Sequence, residues 1–196
     1  MRKEKKEGFF SKKNMISLFI IAVMVLSTAG FILMESASNT SDSTHYKGFS
    51  FQRQGNYWLV NIGSQEIEFD YNPYDIESIN ISKDIIDLLS NTPEIDTTYD
   101  FNGSYKQGAA LAQYRMNQNL KAKNIYVRVG AAEENIYNLS IITCKDSTPN
   151  IPVVFFKESN ETKVYKEGSC IIAEANSDID FIRVGNRLAY SILGVV

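Results

Sequence analysis

The chain has 196 residues, of which 44% are hydrophobic, with a formal net charge of −3 and two cysteines. That length accommodates one ordinary domain and a short extension. The acidic balance argues against nucleic acid as a partner, because phosphate recognition requires a basic surface. Two cysteines and one histidine, His45, are too few for a four-ligand metal site, so we expect neither a metal nor another cofactor.

An uncharged segment, residues 15–34, follows a basic tail at residues 1–14. A helix of twenty residues, at about 1.5 Å per residue, spans roughly the 30 Å of a bilayer's hydrocarbon core. The tail has six basic residues and two acidic ones, whereas no basic residue follows the segment until Lys47. This asymmetry predicts a signal anchor that binds the lipid bilayer in a single-pass protein of the cell membrane, with the N-terminus in the cytoplasm. The small residues 36–38 leave cleavage as the alternative.

A polar segment, residues 35–47, separates this span from the rest of the chain. Its first eleven residues, ESASNTSDSTH, include no large apolar side chain to bury, so we interpret the segment as a tether. Residues 48–196 are enough for one extracytoplasmic globular domain. Without the basic tail the chain has 14 basic and 21 acidic residues, a net charge of −7. A domain so acidic is not expected to bind nucleic acid or anionic lipid.

The first predicted elements of this domain are short strands. Aromatic and β-branched residues are frequent in residues 48–69, which predicts two or three short strands. The pairs Gly55-Asn56 and Gly63-Ser64 predict the turns between them. Ser82 then offers a cap for a helix over residues 83–90, in which apolar side chains share one face. Residues 95–101, IDTTYDF, predict a further strand.

Two longer helices enclose the remaining predicted strands. Residues 106–121 predict a helix with one apolar stripe, and residues 125–129 alternate as a half-buried strand does. The runs IITC, PVVFF and CIIA predict three more strands, and Asp178 at the start of a last helix, residues 179–193, suits the helix dipole. The side chains of this helix predicted to face the core are Phe181, Val184, Leu188 and Ile192, and those predicted to face water are Arg183, Asn186, Arg187 and Tyr190.

The order of elements predicts an α/β or α+β domain with one mixed sheet and about three helices, after an N-terminal transmembrane helix. From residue 95 on, the order resembles a thioredoxin-like fold. Residues 95–101 correspond to its first central strand, residues 106–121 to the next helix, and residues 152–156 to the strand after the characteristic proline. Where a thioredoxin has Cys-x-x-Cys, this chain has Asn102-Gly103-Ser104-Tyr105, so the resemblance implies a degenerate site without redox chemistry.

The chain also resembles uncharacterised small archaeal proteins with a single membrane span. The shared pattern consists of a Thr-Cys strand end at Thr143-Cys144, a Pro-Val-Val run, a Gly-x-Cys-Ile run and the closing sequence RLAYSILGV. This resemblance implies no activity.

Cys144 and Cys170 each adjoin an apolar run, so each is predicted at a strand end. Outside the cytoplasm an even cysteine count favours a bridge, and neighbouring strand ends bring Cα atoms within bridging distance. We therefore predict one structural disulfide. Two buried free thiols are an alternative. A redox pair is another, although working dithiols usually lie close in sequence, as Cys-x-x-Cys.

Five Asn-x-Ser/Thr sequons suggest an exported glycoprotein. An Asn-rich composition alone is the alternative explanation. Sequons that carry a glycan must lie at exposed turns or strand ends, because a glycan does not fit inside a core. The five asparagines are Asn39, Asn80, Asn102, Asn138 and Asn160.

The sequence contains no complete catalytic motif. Gly103 and Gly108 have the spacing of a phosphate loop, but Ala109-Ala110 replaces the required Lys-Ser or Lys-Thr, so a plain turn is the preferred interpretation. Because His45 lies in the tether, a serine-type triad would lack its base. Two acidic pairs could act in acid–base catalysis, but solvated positions are the preferred interpretation. A group of aromatic residues could stack on a sugar, but positions in the core or on a sheet face are preferred. They are Glu133/Glu134, Asp178/Asp180, and Tyr57, Trp58, Tyr71 and Tyr74.

Two classes of function are compatible with this sequence. The favoured class is a non-catalytic, membrane-tethered domain that serves envelope structure or contacts an envelope protein. The alternative is an enzyme or a degenerate thioredoxin-like redox accessory with a site near Asn102–Lys106. A large cleft at that site would favour the alternative, and a flat apolar patch would favour the interaction domain.

Overall fold

The computed structural model describes residues 12–37 and 42–196, and the side chains of residues 15–27 and 42–196. The chain divides into two compact units after Ser41, and the first unit contains helix α1, Lys12–Ala37. Crossing a bilayer takes about 20 predominantly apolar residues in one helix. None of the helices in the described part of the chain is long and apolar enough to do so. The predicted single-pass anchor at residues 15–34 and the membrane localisation built on it are therefore wrong.

The second unit begins with a four-stranded antiparallel meander. Its strands are β1 (Ser43–Tyr46), β2 (Phe49–Gln54), β3 (Tyr57–Ile62) and β4 (Gln65–Phe69). Each tight connection uses a glycine with positive φ, the conformation that glycine adopts without steric cost. Residues 43–46 belong to the segment predicted as a tether, but they form strand β1. This strand pairs with β2, and its Tyr46 is buried in the core.

The second sheet has six strands in the order β7-β6-β5-β8-β10-β9. All neighbouring pairs are parallel except the pair of β10 and the edge strand β9. The central strands β5, β8 and β10 are buried on both faces over most of their length, as expected for a parallel sheet. The strands are β5 (Glu94–Tyr99), β6 (Tyr126–Ala131), β7 (Ser140–Ile141), β8 (Val153–Glu158), β9 (Lys163–Glu167) and β10 (Cys170–Ala175).

Four helices belong to this unit: α2 (Pro73–Ile76), α3 (Lys83–Ser90), α4 (Lys106–Asn119) and α5 (Asp178–Leu193). Helices α4 and α5 pack against each other and contact both sheets. Phe181 of α5 meets Phe156 of the six-stranded sheet, whereas Tyr190 stacks on Phe69 of the meander at 3.8 Å between ring centroids. The described chain is thus a mixed α/β protein with five helices and two sheets, which confirms the predicted α/β class. The prediction of one mixed sheet is wrong, because the first four strands form a sheet of their own.

Two of the four α5 residues predicted to face water, Asn186 and Tyr190, are buried instead, whereas Arg183 and Arg187 are partly exposed. Asn186 is fully buried, and its Oδ1 accepts hydrogen bonds from the backbone N–H groups of Asp70 and Tyr71. The Tyr190 hydroxyl donates to the carbonyl oxygen of Tyr71 at 2.8 Å, and burial raises the pKa of this phenol far above its usual value. Both polar side chains are therefore compatible with the core, because each has its partner there.

Paired charges and the disulfide lie on the face of the six-stranded sheet opposite α4 and α5, which we call the helix-free face because these two helices pack on the other one. Arg128 donates to both carboxylate oxygens of the buried Asp96. The buried Glu174 lies 3.3 Å from the ammonium groups of Lys157 and Lys163. These pairs neutralise carboxylates that would be costly to bury alone.

Cys144 and Cys170 form the predicted disulfide, with their Cα atoms 5.2 Å apart. Cys170 begins β10, as predicted, whereas Cys144 begins a one-turn 3-10 helix, Cys144–Asp146, and does not end a strand. A capping box between Thr143 and Asp146 holds that turn. The bridge therefore fixes the segment before β8 over the helix-free face.

Candidate functional site

The parallel strands β5, β8 and β10 all end at one edge of the six-stranded sheet, the carboxyl edge. From β5 the chain continues through α4 to β6 on one side, and β8 pairs with β5 on the other side. The strand order therefore changes direction between β5 and β8. In open α/β sheets, ligands bind in the crevice outside the carboxyl ends of the strands at such a point.

A crevice of about 660 Å³ is present at this edge. The five residues that line it lie at or after the ends of β5, β8 and β10: Tyr105, Glu158, Ser159, Asn160 and Asn176. Behind it lies a slot of about 10 Å³ that Tyr105 and Glu158 also line, with Phe156 and Phe181 among its apolar walls. The slot is too small for a ligand, so the open crevice is the candidate site.

Carboxylates hold the loop that forms one wall of the crevice. Glu158 Oε2 accepts the backbone N–H of Ser104 at 2.7 Å, and Asp100 Oδ1 accepts that of Asn102 at 2.8 Å. Glu133, from the loop after β6, accepts a hydrogen bond from the Asn102 side chain. Charge-assisted bonds of this kind are the stronger class, so they contribute to holding the loop in this conformation.

The N-terminus of α4 is occupied by a side chain of α5. The backbone N–H of Gly108 donates to Asp178 Oδ1 at 2.6 Å. Glycine is needed here, because a Cβ atom would lie 2.3 Å from the Cα of Asp178. The spacing of Gly103 and Gly108 thus reflects a close helix contact, and a carboxylate stands where a phosphate loop would bind its anion.

An exposed apolar patch adjoins the crevice. Tyr137 meets Phe101 edge to face at 5.3 Å between ring centroids, and the ammonium group of Lys106 lies 5.8 Å from the Phe101 ring centroid. The side chains of Ile136 and Tyr137 are 83% and 67% exposed. We call Phe101, Ile136 and Tyr137 the aromatic shelf.

The described sequons all have exposed asparagines in loops, as glycosylation requires, and Asn39 lies outside the described residues. Asn160 lines the crevice, and Asn102 sits in its wall. Use of these sequons stays a prediction. The described asparagines are Asn80, Asn102, Asn138 and Asn160.

The other residues singled out from the sequence do not assemble into a site. Within residues 42–196, no group of three or more His, Cys, Asp or Glu side chains could hold a metal ion. The predicted stacking residues have separate partners: Tyr57 faces the guanidinium of Arg115, and Tyr74 packs against Tyr46. One member of each acidic pair accepts a hydrogen bond near the crevice: Glu133 from the Asn102 side chain, and Asp178 from the backbone N–H of Gly108.

Sequence reasoning identified Asn102–Lys106 but missed the opposite wall of the crevice. Glu158 is the last residue of β8, and Ser159 and Asn176 come directly after β8 and β10. Polar residues immediately after consecutive parallel strands were the signal that could have located this wall, because such strand ends meet at one edge. No protein-family profile, curated protein or solved structure matches this chain.

Proposed function

We propose that residues 42–196 form a non-catalytic binding domain that holds a small polar ligand in the crevice at the carboxyl edge. The observation that carries this proposal is the position of the crevice, of about 660 Å³, where the strand order changes direction. Its volume is in the range of small-molecule sites, about 300–1,000 Å³.

The hydrogen bonding in the crevice supports binding over chemistry. Glu158 uses one carboxylate oxygen to hold the loop and keeps the other for a ligand. His45 lies in β1 of the meander, and both cysteines are joined in the disulfide. The histidine and the two cysteines are therefore not part of the crevice lining, where Tyr105, Glu158 and Ser159 are the groups able to transfer a proton or act as a nucleophile.

Nitrogen-15 NMR of the full chain, titrated with a library of small polar fragments, tests this proposal. Fragments that bind should shift the amide signals of residues 100–105 and 158–160 and of Asn176. The double variant Asn160→Ala/Asn176→Ala should weaken binding, whereas the control Asn80→Ala, in an exposed loop, should not. Binding that shifts signals only in other regions would refute the proposal.

A second candidate, the protein contact predicted from the sequence, is favoured by the aromatic shelf. A single exposed apolar side chain is ordinary, but adjacent ones next to a structured crevice are typical of interaction sites. Self-association is the first contact to test, because two-fold symmetric contacts are the commonest in oligomers. Sedimentation velocity should then show a dimer that Ile136→Ser/Tyr137→Ser disrupts. Tyr114→Ser, which alters an exposed tyrosine on α4, is the control. If the wild-type chain and both variants associate to the same extent, the aromatic shelf is not the contact surface.

The thioredoxin-like assignment and an enzymatic role near Asn102–Lys106 stay predictions. Tyr105 and Lys106 border the slot behind the crevice, but no contact there favours electron transfer. We therefore give preference to the binding domain.

A further inference from the structure

We infer that the ligand of the crevice is a saccharide, an inference that rests on the proposed binding function. The lining groups are two carboxamides, two hydroxyls and one carboxylate. Carboxamides and hydroxyls both donate and accept hydrogen bonds. Sugar hydroxyls also do both, so a mixed lining of this kind matches a polyhydroxylated ligand.

The same lining fits charged ligands less well. A cation favours several carboxylates, whereas Glu158 is the one carboxylate in the crevice lining. An anion requires donors and positive charge, but Glu158 lies in the crevice and the N-terminus of α4 is occupied by Asp178. A neutral ligand with alternating donors and acceptors leaves the fewest groups unpaired.

Tyr105 is the one aromatic residue of the crevice lining, and a sugar ring would stack on it. It is half-buried, lines both the crevice and the slot, and is the N-cap residue of α4. Its carbonyl oxygen accepts the backbone N–H of Ala109 at 3.2 Å, which fixes the backbone of the residue. An aromatic ring presents a flat apolar face, and the C–H face of a pyranose is also flat and apolar.

The volume of the crevice sets the size of the ligand. About 660 Å³ is within the range of small-molecule sites, and the crevice is open to solvent on one side. One sugar ring can therefore occupy the crevice while a second extends beyond it, toward the solvent. The site accordingly suits a mono- or disaccharide, or the end of a longer glycan.

Ligand-observed NMR and calorimetry on the full chain test this inference with three classes of probe. The saccharides are glucose, mannose, galactose, N-acetylglucosamine and their common disaccharides. Putrescine represents cations and inorganic phosphate represents anions. We expect at least one saccharide to bind and to shift the amide signals of Tyr105, Asn160 and Asn176.

Variants separate ring stacking from a structural effect. Tyr105→Ala should weaken saccharide binding roughly tenfold, since aromatic contacts contribute about 0.5–1.5 kcal/mol. Tyr105→Phe should bind nearly as well as the wild-type chain, because it keeps the ring. Tyr114→Ala, on the same helix, is the control. If Tyr105→Ala fails to fold, Asn176→Ala supplies the same test through an exposed lining residue.

The outcomes distinguish this inference from the proposed function. Binding of putrescine or phosphate in the crevice without any saccharide would overturn the saccharide assignment and keep the binding function. Saccharide binding unaffected by both Tyr105→Ala and Asn176→Ala would overturn the assignment to this crevice. A crevice that responds to no probe and to no fragment would overturn both.

Discussion

The contact between α4 and α5 yields a quantitative prediction for Gly108→Ala. In most helices this change stabilises, because alanine exceeds glycine in helix propensity by about 1 kcal/mol. Here the new methyl group would lie 2.3 Å from the Cα of Asp178 and 2.4 Å from its carbonyl oxygen. Backbone atoms cannot rotate away as a side chain does, so the two helices must separate.

The expected cost combines two effects. Overpacking of a well-packed contact costs about 1–3 kcal/mol, and the hydrogen bond from Gly108 N–H to the Asp178 carboxylate, a bond to a charged group, contributes about 1.5–3 kcal/mol. Against these stands the propensity gain of about 1 kcal/mol. We expect the free energy of unfolding to fall by about 1.5–5 kcal/mol.

Guanidinium unfolding followed by tryptophan fluorescence measures this change in free energy. Trp58 is the only tryptophan in the chain and lies in the meander, so it reports on the unit that contains α4 and α5. Gln107→Ala, at an exposed position in the same turn, is the matched control and should change stability by less than about 0.5 kcal/mol. A Gly108→Ala protein as stable as the wild type, or more stable, would refute the predicted close approach of the helices.

Three further predictions concern the core and the helix-free face. Replacing Cys144 and Cys170 by alanine should lower the free energy of unfolding by up to about 3.5 kcal/mol, measured by the same unfolding assay; an unchanged midpoint would contradict a structural bridge. Asn186→Ala should cost about 2–3 kcal/mol, because it leaves two backbone N–H groups without their acceptor, whereas the exposed Asn61→Ala should be neutral. Burial raises the pKa of Glu174, but its bonds to Lys163, Lys157 and Tyr165 outweigh burial and leave it lowered. Its contribution to stability is therefore present above pH 4.5 and lost as the pH falls below that value. In the Glu174→Gln variant, the free energy of unfolding should depend less on pH below 4.5 than in the wild-type chain.

Local patterns in the sequence predicted many of the elements well. The helix over residues 83–90 is observed with the predicted bounds, and the helix predicted to end at Lys121 continues past Asn119 as a 3-10 turn. Asn124 ends it in the left-handed conformation, which asparagine tolerates better than most residues. The pairing of the cysteines was also predictable, because an even count leaves few alternatives.

The relation between the two sheets was not predictable in this way. The amphipathic pattern of α5 indicates one apolar face, yet Asn186 and Tyr190 on the other face are buried. Their burial depends on backbone groups of Asp70 and Tyr71, more than a hundred residues away in sequence. Periodicity detects a hydrophobic face but not a polar face whose partners come from another sheet.

The crevice was only partly predictable from the sequence, because one of its walls also depends on contacts between distant parts of the chain. Asn102–Lys106 was singled out because the thioredoxin-like resemblance places the Cys-x-x-Cys position there, but the opposite wall depends on which strands are neighbours. Strand β8 lies between β5 and β10, an arrangement that the order of elements along the chain does not determine.

The disulfide also determines what proteolysis can do to this domain. It joins residues 26 positions apart and so closes a covalent ring that contains β8 and β9 entire. A protease that cuts the exposed turn around Asn160, beside the crevice, would open the ring without releasing a fragment. The nicked chain would migrate as one species without reductant and as two species with it. Strand β8, at the centre of the sheet, would stay attached through both of its neighbours.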